Sequence, residues 1–159
     1  MSRSDTQSAE QVKRRPSVLL GTHSRMLDPK KRLTIPSVWR EALGGEYVYV
    51  MPETQNHCLQ LVPADMMEAR LEKLQSESLG NKRLNALLSK IAETSDVLEF
   101  DVQGRIRISD KLLAYAGLKG AVVLKGSFRT ATIWPAERCA EDAAVDEAGL
   151  DEAMSELEF

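Results

Sequence analysis

Ten residues near the N-terminus, Leu27-Asp28-Pro29-Lys30-Lys31-Arg32-Leu33-Thr34-Ile35-Pro36, return 73 positions later as Phe100-Asp101-Val102-Gln103-Gly104-Arg105-Ile106-Arg107-Ile108-Ser109. In both copies an Asp and an Arg four apart bracket a short polar turn and lead into alternating apolar residues, the pattern of a tight hairpin feeding a strand. The correspondence continues downstream. A short amphipathic helix is predicted over 37–43 and again over 109–116, stopped by Gly44-Gly45 in one copy and Gly117 in the other. β-branched and aromatic residues follow (Tyr47-Val48-Tyr49-Val50 and Ala121-Val122-Val123-Leu124), and a second run closes on Pro63-Ala64-Asp65 or Pro135-Ala136-Glu137. The chain is a tandem repeat.

Each copy spans about 40 residues, short for an isolated domain without a disulfide or metal. The halves are therefore expected to share one core, and at 43% hydrophobic residues in 159 the chain has the material for it. Two strand pairs and a short helix per copy cannot close a sheet alone, so strands of the two copies must pair with each other. The expected fold is α+β: two intertwined hairpin and helix repeats forming a pseudo-twofold, barrel-like core, with both Asp/Arg turns projecting as a matched pair. Such a layout suits a two-sided partner, and duplex nucleic acid is the obvious one.

Charge is distributed unevenly. Residues 1–41 carry nine Lys or Arg against four acids, whereas residues 135–159 carry one Arg against nine acids, so one end attracts anions and the other repels them. The organisation read from these patterns is a disordered basic arm over 1–17, a first repeat over 18–65, a helical hairpin over 66–96, a second repeat over 97–137 and an acidic tail over 138–159. In the helical hairpin Met67, Leu71 and Leu74 recur at helical spacing before a break at Leu79-Gly80-Asn81, and Leu84, Leu87, Leu88 and Ile91 follow on one face. It reads as cover for the core or as an oligomer interface. The tail is compatible with an amphipathic helix or with disorder.

Several classes of function find no support. No run of 18 apolar residues exists, and the N-terminus is polar where a signal peptide is apolar, so a cytoplasmic protein without membrane segments is expected. Cys58 and Cys139 lack redox spacing, and with His23 and His57 they match no usual zinc pattern, so neither metal nor cofactor is expected. No nucleophile, base and orienter set and no phosphate loop appears, so no catalysis and no small-molecule substrate are expected. Trp39 and Trp134, with apolar neighbours, read as packing residues.

The motifs resemble the MraZ family, bacterial transcriptional regulators associated with the division and cell-wall gene cluster, which share the swapped-hairpin fold of the AbrB superfamily. The residues that carry the resemblance are Gly21, the Leu27-to-Pro36 run with Arg40 and Leu43 downstream, Asp101-Val102-Gln103-Gly104-Arg105, and Ala116-Gly117-Leu118. It spans roughly residues 19–137. The resemblance implies a nucleoid-associated, sequence-specific DNA binder, a repressor that recognises short direct promoter repeats through its turns as a ring-shaped homo-oligomer.

On the residues themselves, Arg32 and Arg105 can clamp a phosphate or fork onto guanine, with Arg107 beside them, while Arg25, Lys30 and Lys31 suit phosphates. Asp28 and Asp101, which phosphate would repel, are expected to hold the turns and steer the Arg four residues on, with Gly104 supplying the turn backbone. The chain departs from the family pattern at Lys31, where the family has Gly. If the turn there needs positive φ, Lys costs about 1 kcal/mol, unless Pro29 selects another turn. The competing reading is an antitoxin-like protein-binding module whose acidic tail wraps a basic partner.

Overall fold

The computed structural model describes residues 17–141 and 147–158. The predicted basic arm therefore lies outside the described residues except for its last position, as do residues 142–146 and 159 of the acidic tail. The first repeat contains β1 (Thr22–Met26), β2 (Arg32–Thr34), α1 (Ser37–Ala42), β3 (Tyr47–Glu53) and β4 (Cys58–Pro63). Helices α2 (Ala64–Glu77) and α3 (Lys82–Thr94) follow. The second repeat contains β5 (Asp96–Glu99), β6 (Arg105–Arg107), α4 (Asp110–Ala116), β7 (Ala121–Ser127) and β8 (Thr130–Pro135), with α5 (Ala136–Glu141) and α6 (Glu147–Glu156) after it.

Antiparallel pairing joins the repeats throughout. Six strands form one sheet in the order β1-β7-β8-β4-β3-β5, and β2 pairs with β6 as a separate two-stranded ribbon. The order reads alike from both ends when each strand is labelled by its place in its repeat. The registers share that property: β2 and β6 are centred on Leu33 opposite Ile106, and β4 and β8 on Gln60 opposite Thr132. Strands from different copies thus complete each other, as the length argument required.

Two expectations are corrected. The sheet does not close into a barrel, because β2 and β6 are three residues each and pair with one another, leaving β1 and β5 as its edges among the described residues. The Asp/Arg turn is also not the apex of an ordinary hairpin. It is closed by Asp28 N–H donating to Arg32 C=O at 3.0 Å, but β1 then joins β7 while β2 joins β6. It is a corner that moves the chain from the large sheet to the ribbon.

Period-two alternation decides what the core contains. Val48 and Val50 of β3, Leu59 and Leu61 of β4, Leu124 of β7 and Ile133 of β8 are fully buried on one face, where they meet Leu33 and Ile106 of the ribbon and Trp39 and Leu112 of the short helices. Burying side chains of this size contributes about 1.5–3 kcal/mol each. Trp39 also donates its indole N–H to the Leu20 carbonyl at 2.9 Å, so it is a core residue with its one polar atom satisfied. Trp134 is half-buried beneath the Lys125 ammonium, 4.5 Å from the ring centroid.

Gly126 shows how tightly the N-terminal strand is drawn in. A Cβ there would lie 2.3 Å from the Leu19 carbonyl oxygen, a backbone atom that cannot swing aside, because Leu19 and Phe128 exchange backbone hydrogen bonds of 2.7 and 3.0 Å.

The opposite face of the sheet is covered only in part by α2 and α3. Asn81 caps α3 by accepting from Leu84 N–H at 3.1 Å, which places the helix break where the Leu-Gly-Asn run predicted it. Between the helices and the sheet remains a groove of about 430 Å³, lined chiefly by Tyr49, Met51, Val62, Leu71, Leu88 and Ile91. Helix α3 buries no residue, and its Leu87 and Ile91 are 52% and 45% exposed. No helix among the described residues is long and apolar enough to cross a membrane.

Candidate nucleic-acid interface

The ribbon has two unlike faces. Directly opposed residues in antiparallel strands share a face, so the Leu33 and Ile106 pair faces the core, while Arg32 opposite Arg107 and Thr34 opposite Arg105 face outward. Three guanidinium groups and a threonine hydroxyl thereby occupy one short surface.

The turns at either end of the ribbon are built identically. In the first, Asp28 Oδ1 accepts from the backbone N–H of Lys30 at 2.9 Å and of Arg32 at 2.8 Å, and Oδ2 accepts from Arg32 Nε at 2.6 Å. In the second, Asp101 Oδ1 accepts from Gln103 and Arg105 N–H, both at 2.9 Å, and Oδ2 from Arg105 Nε at 2.7 Å. One carboxylate thus organises the turn backbone and fixes the arginine, which explains the four-residue spacing. The Nη groups are left over for other acceptors. Arg105 Nη1 also lies 4.0 Å from Asp28 Oδ2, so the two turns are electrostatically joined across the ribbon.

The hydrogen bonds set the charge state of both acids. Burial alone would raise the Asp28 carboxyl, but bonds from the backbone and side chain of Arg32 and from Lys30 outweigh it and hold it below its ordinary value. For Asp101 the Arg105 backbone bond is the largest influence and again lowers it. Both sites are therefore ionised at neutral pH and partly compensate their own arginines.

The copies differ at the turn's fourth residue. Lys31 adopts φ 64° and Gly104 φ 78°, so Pro29 does not select a different turn and Lys31 carries the left-handed strain of about 1 kcal/mol. The reason both choices are tolerated is the neighbour. Arg40 of α1 lies over Gly104, where a Cβ would fall 1.9 Å from its Nη1, whereas the matching position in the second repeat is Leu113. Lys31 has room for its side chain, and its ammonium pairs with Asp110 at the start of α4. That acid is held below its ordinary range by the Lys31 hydrogen bond. Lys31 is thus engaged within the chain, and the ammonium of Lys30, exposed like it, has no ion-pair partner among the described residues.

Of the residues singled out from the sequence, Arg32, Arg105 and Arg107 meet on the ribbon face, and Lys30, Lys31, Asp28, Asp101 and Gly104 form its two ends. Arg25 does not join them. It lies on edge strand β1 opposite Val122 and donates to the Ser24 carbonyl at 2.9 Å. Sequence reasoning missed Thr34, Asp110 and the role of Arg40. The first was visible as the repeat-mate of Arg107, and Arg40 as a place where the two copies disagree. Elsewhere His57 stacks on Tyr115 at 4.5 Å, and Cys58 is buried with its thiol pushed up to about 12, chiefly by burial. No three His, Cys, Asp or Glu side chains gather at metal-binding distance among the described residues.

Residues 18–90 and 91–151 each match a family model described as "MraZ protein, putative antitoxin-like". The chain belongs to the MraZ family. It is 36% identical to the "Transcriptional regulator MraZ" of Saccharopolyspora erythraea over 121 residues, 76% of this chain and 83% of that protein. A protein of the same name from Corynebacterium urealyticum is 34% identical over 142 residues, 87% of this chain and 98% of that one. The Clostridium tetani counterpart is 30% identical over 88% of this chain and 99% of its own length. The two family matches divide the chain between residues 90 and 91, within α3, so the boundary between repeats in this MraZ protein falls inside the helical hairpin.

Two outcomes test the turn chemistry. Gly104→Ala should lower stability by about 1–2 kcal/mol in chemical denaturation, from the positive φ and the displaced Arg40, while Lys31→Ala, at a position that already carries a Cβ, should leave it nearly unchanged. Equal effects would reject the neighbour argument. Because folding depresses both carboxyls below the ordinary 3.8, their contribution is complete above that value and is lost as pH falls through the lower folded-state midpoints. Carboxyl NMR titration should place Asp28 and Asp101 below 3.8; a midpoint at or above it would contradict the bracing role.

Proposed function

We propose that this chain is a sequence-specific DNA-binding transcriptional regulator. The observation that carries the reading is the pair of identically braced arginines, Arg32 and Arg105, on one exposed ribbon face with Arg107 between the turns. A two-stranded ribbon fits the major groove of B-DNA, which is about 12 Å wide. Along β2 the first turn is separated from the level of the second by four residues, about 13 Å at strand rise, so the two turns match the groove in scale. An arginine whose Nε is already fixed loses less freedom on forming a guanine fork, which supports base reading as well as phosphate contact. Regulators of this name among its relatives support the same assignment.

The finer parts of the proposal are that the protein represses its division and cell-wall gene cluster, binds short direct promoter repeats, and acts in the cytoplasm on the nucleoid. It uses no cofactor and catalyses no reaction. Fluorescence anisotropy against its own promoter and a scrambled duplex tests it. Wild type should prefer the promoter, and Arg32→Ala or Arg105→Ala should each cost about 1–3 kcal/mol of that preference. Binding both duplexes alike would replace the reading with a nonspecific DNA binder.

Ring assembly is the quaternary part of the proposal, with α3 and the adjoining groove as the surface that meets the next copy. Exposed Leu87 and Ile91 beside an apolar groove support it. Light scattering after size exclusion should show a multi-subunit particle for wild type and a smaller one for Leu87→Asp combined with Ile91→Asp; unchanged mass would remove this surface from the assembly. A protein-binding module remains the second reading, supported by exposed Leu150, Met154 and Leu157 on and just after acidic α6. It predicts no duplex binding in the same titration.

A further inference from the structure

The two turns share a backbone and differ at their tips. The first presents Pro29 and Lys30, and the second presents Val102 and Gln103 in the same places. All four are exposed, and Val102 is fully so. The Gln103 amide has no hydrogen bond among the described residues, although its backbone N–H is held by Asp101 at 2.9 Å. A neutral, hydrogen-bonding side chain and an apolar one are thus displayed on a rigid turn, while the equivalent turn displays an ammonium that is unpaired among the described residues.

We propose that the tips of the turns divide the work at one DNA site: Lys30 of the first grips the phosphate backbone, while Gln103 and Val102 of the second read an A·T base pair beside the arginines. This rests on the DNA-binding reading above. Glutamine forks onto adenine N6 and N7, and an apolar side chain contacts the thymine methyl, both from the major groove. An ammonium carries charge without that pattern and suits phosphate, where contact contributes affinity at any sequence. The braced backbone matters here, because Asp101 holds Gln103 and Arg105 together, so the amide and the guanidinium are offered in fixed relation two residues apart. Neither tip packs on the core, so each can be changed without altering the fold.

The test is an anisotropy titration of the full-length protein against its promoter and a set of single base-pair variants, at several salt concentrations, with Lys30→Ala, Val102→Ala and Gln103→Ala. Lys30→Ala should weaken binding to every duplex and reduce the log-log salt slope by about 0.9. Gln103→Ala should keep the slope and lose about 5- to 150-fold discrimination at one A·T position, and Val102→Ala should lose part of the same preference. If wild type discriminates the promoter but Gln103→Ala and Val102→Ala discriminate equally well, the division of work is wrong while the DNA reading stands. If Lys30→Ala changes base preference and not slope, the assignment of the turns is reversed and the proposal fails. Absence of any promoter preference in wild type overturns the underlying function together with it.

Discussion

Everything in the structure depends on a three-residue ladder. Among the described residues β2 and β6 pair only with each other, and their inward pair, Leu33 and Ile106, is fully buried beneath them. The ladder ties the repeats together, closes one side of the core and points the intervening residues outward. Neither strand could persist alone, since an isolated three-residue strand has no partner for its backbone groups and a single apolar side chain with nothing to bury it. The contact between copies therefore builds the core and the candidate interface in one step.

From that ladder the charge arrangement follows. The strands are too short to hold more than one inward residue each, so arginines flanking it are forced to the exposed face. Three guanidiniums on so small a surface would repel one another. Asp28 and Asp101 offset that repulsion at the two ends while spending their remaining acceptor capacity on the turn backbone. The same carboxylates that stabilise the fold thus limit the net charge offered to an anion, leaving Arg107 and Lys30 as the ribbon and turn cations without a salt bridge among the described residues.

Much of the architecture was legible because the repeat is explicit. Length required the copies to interlock, glycines and the Leu79-Gly80-Asn81 run marked where helices stop, and the β-branched and aromatic run Tyr47-Val48-Tyr49-Val50 marked a strand, whose valines the structure buries. The barrel expectation failed because pattern shows that strands pair but not how many residues each contributes, and β2 and β6 proved too short to bridge the large sheet. Arg25 was grouped with the other cations on proximity in sequence, yet it precedes the corner and belongs to a different sheet.

The sequence by itself determined the duplication, the Asp-to-Arg spacing that a single carboxylate can span, and the apolar positions of each strand, since these depend on local geometry and on periodicity. Tertiary structure alone decided which arginines share a face, why Lys31 can stand where its repeat-mate is Gly104, and which ammonium at the first turn is engaged. Those answers turn on contacts between residues some 70 positions apart, Arg40 over Gly104 and Lys31 on Asp110. Such contacts exist only once the two copies have interlocked.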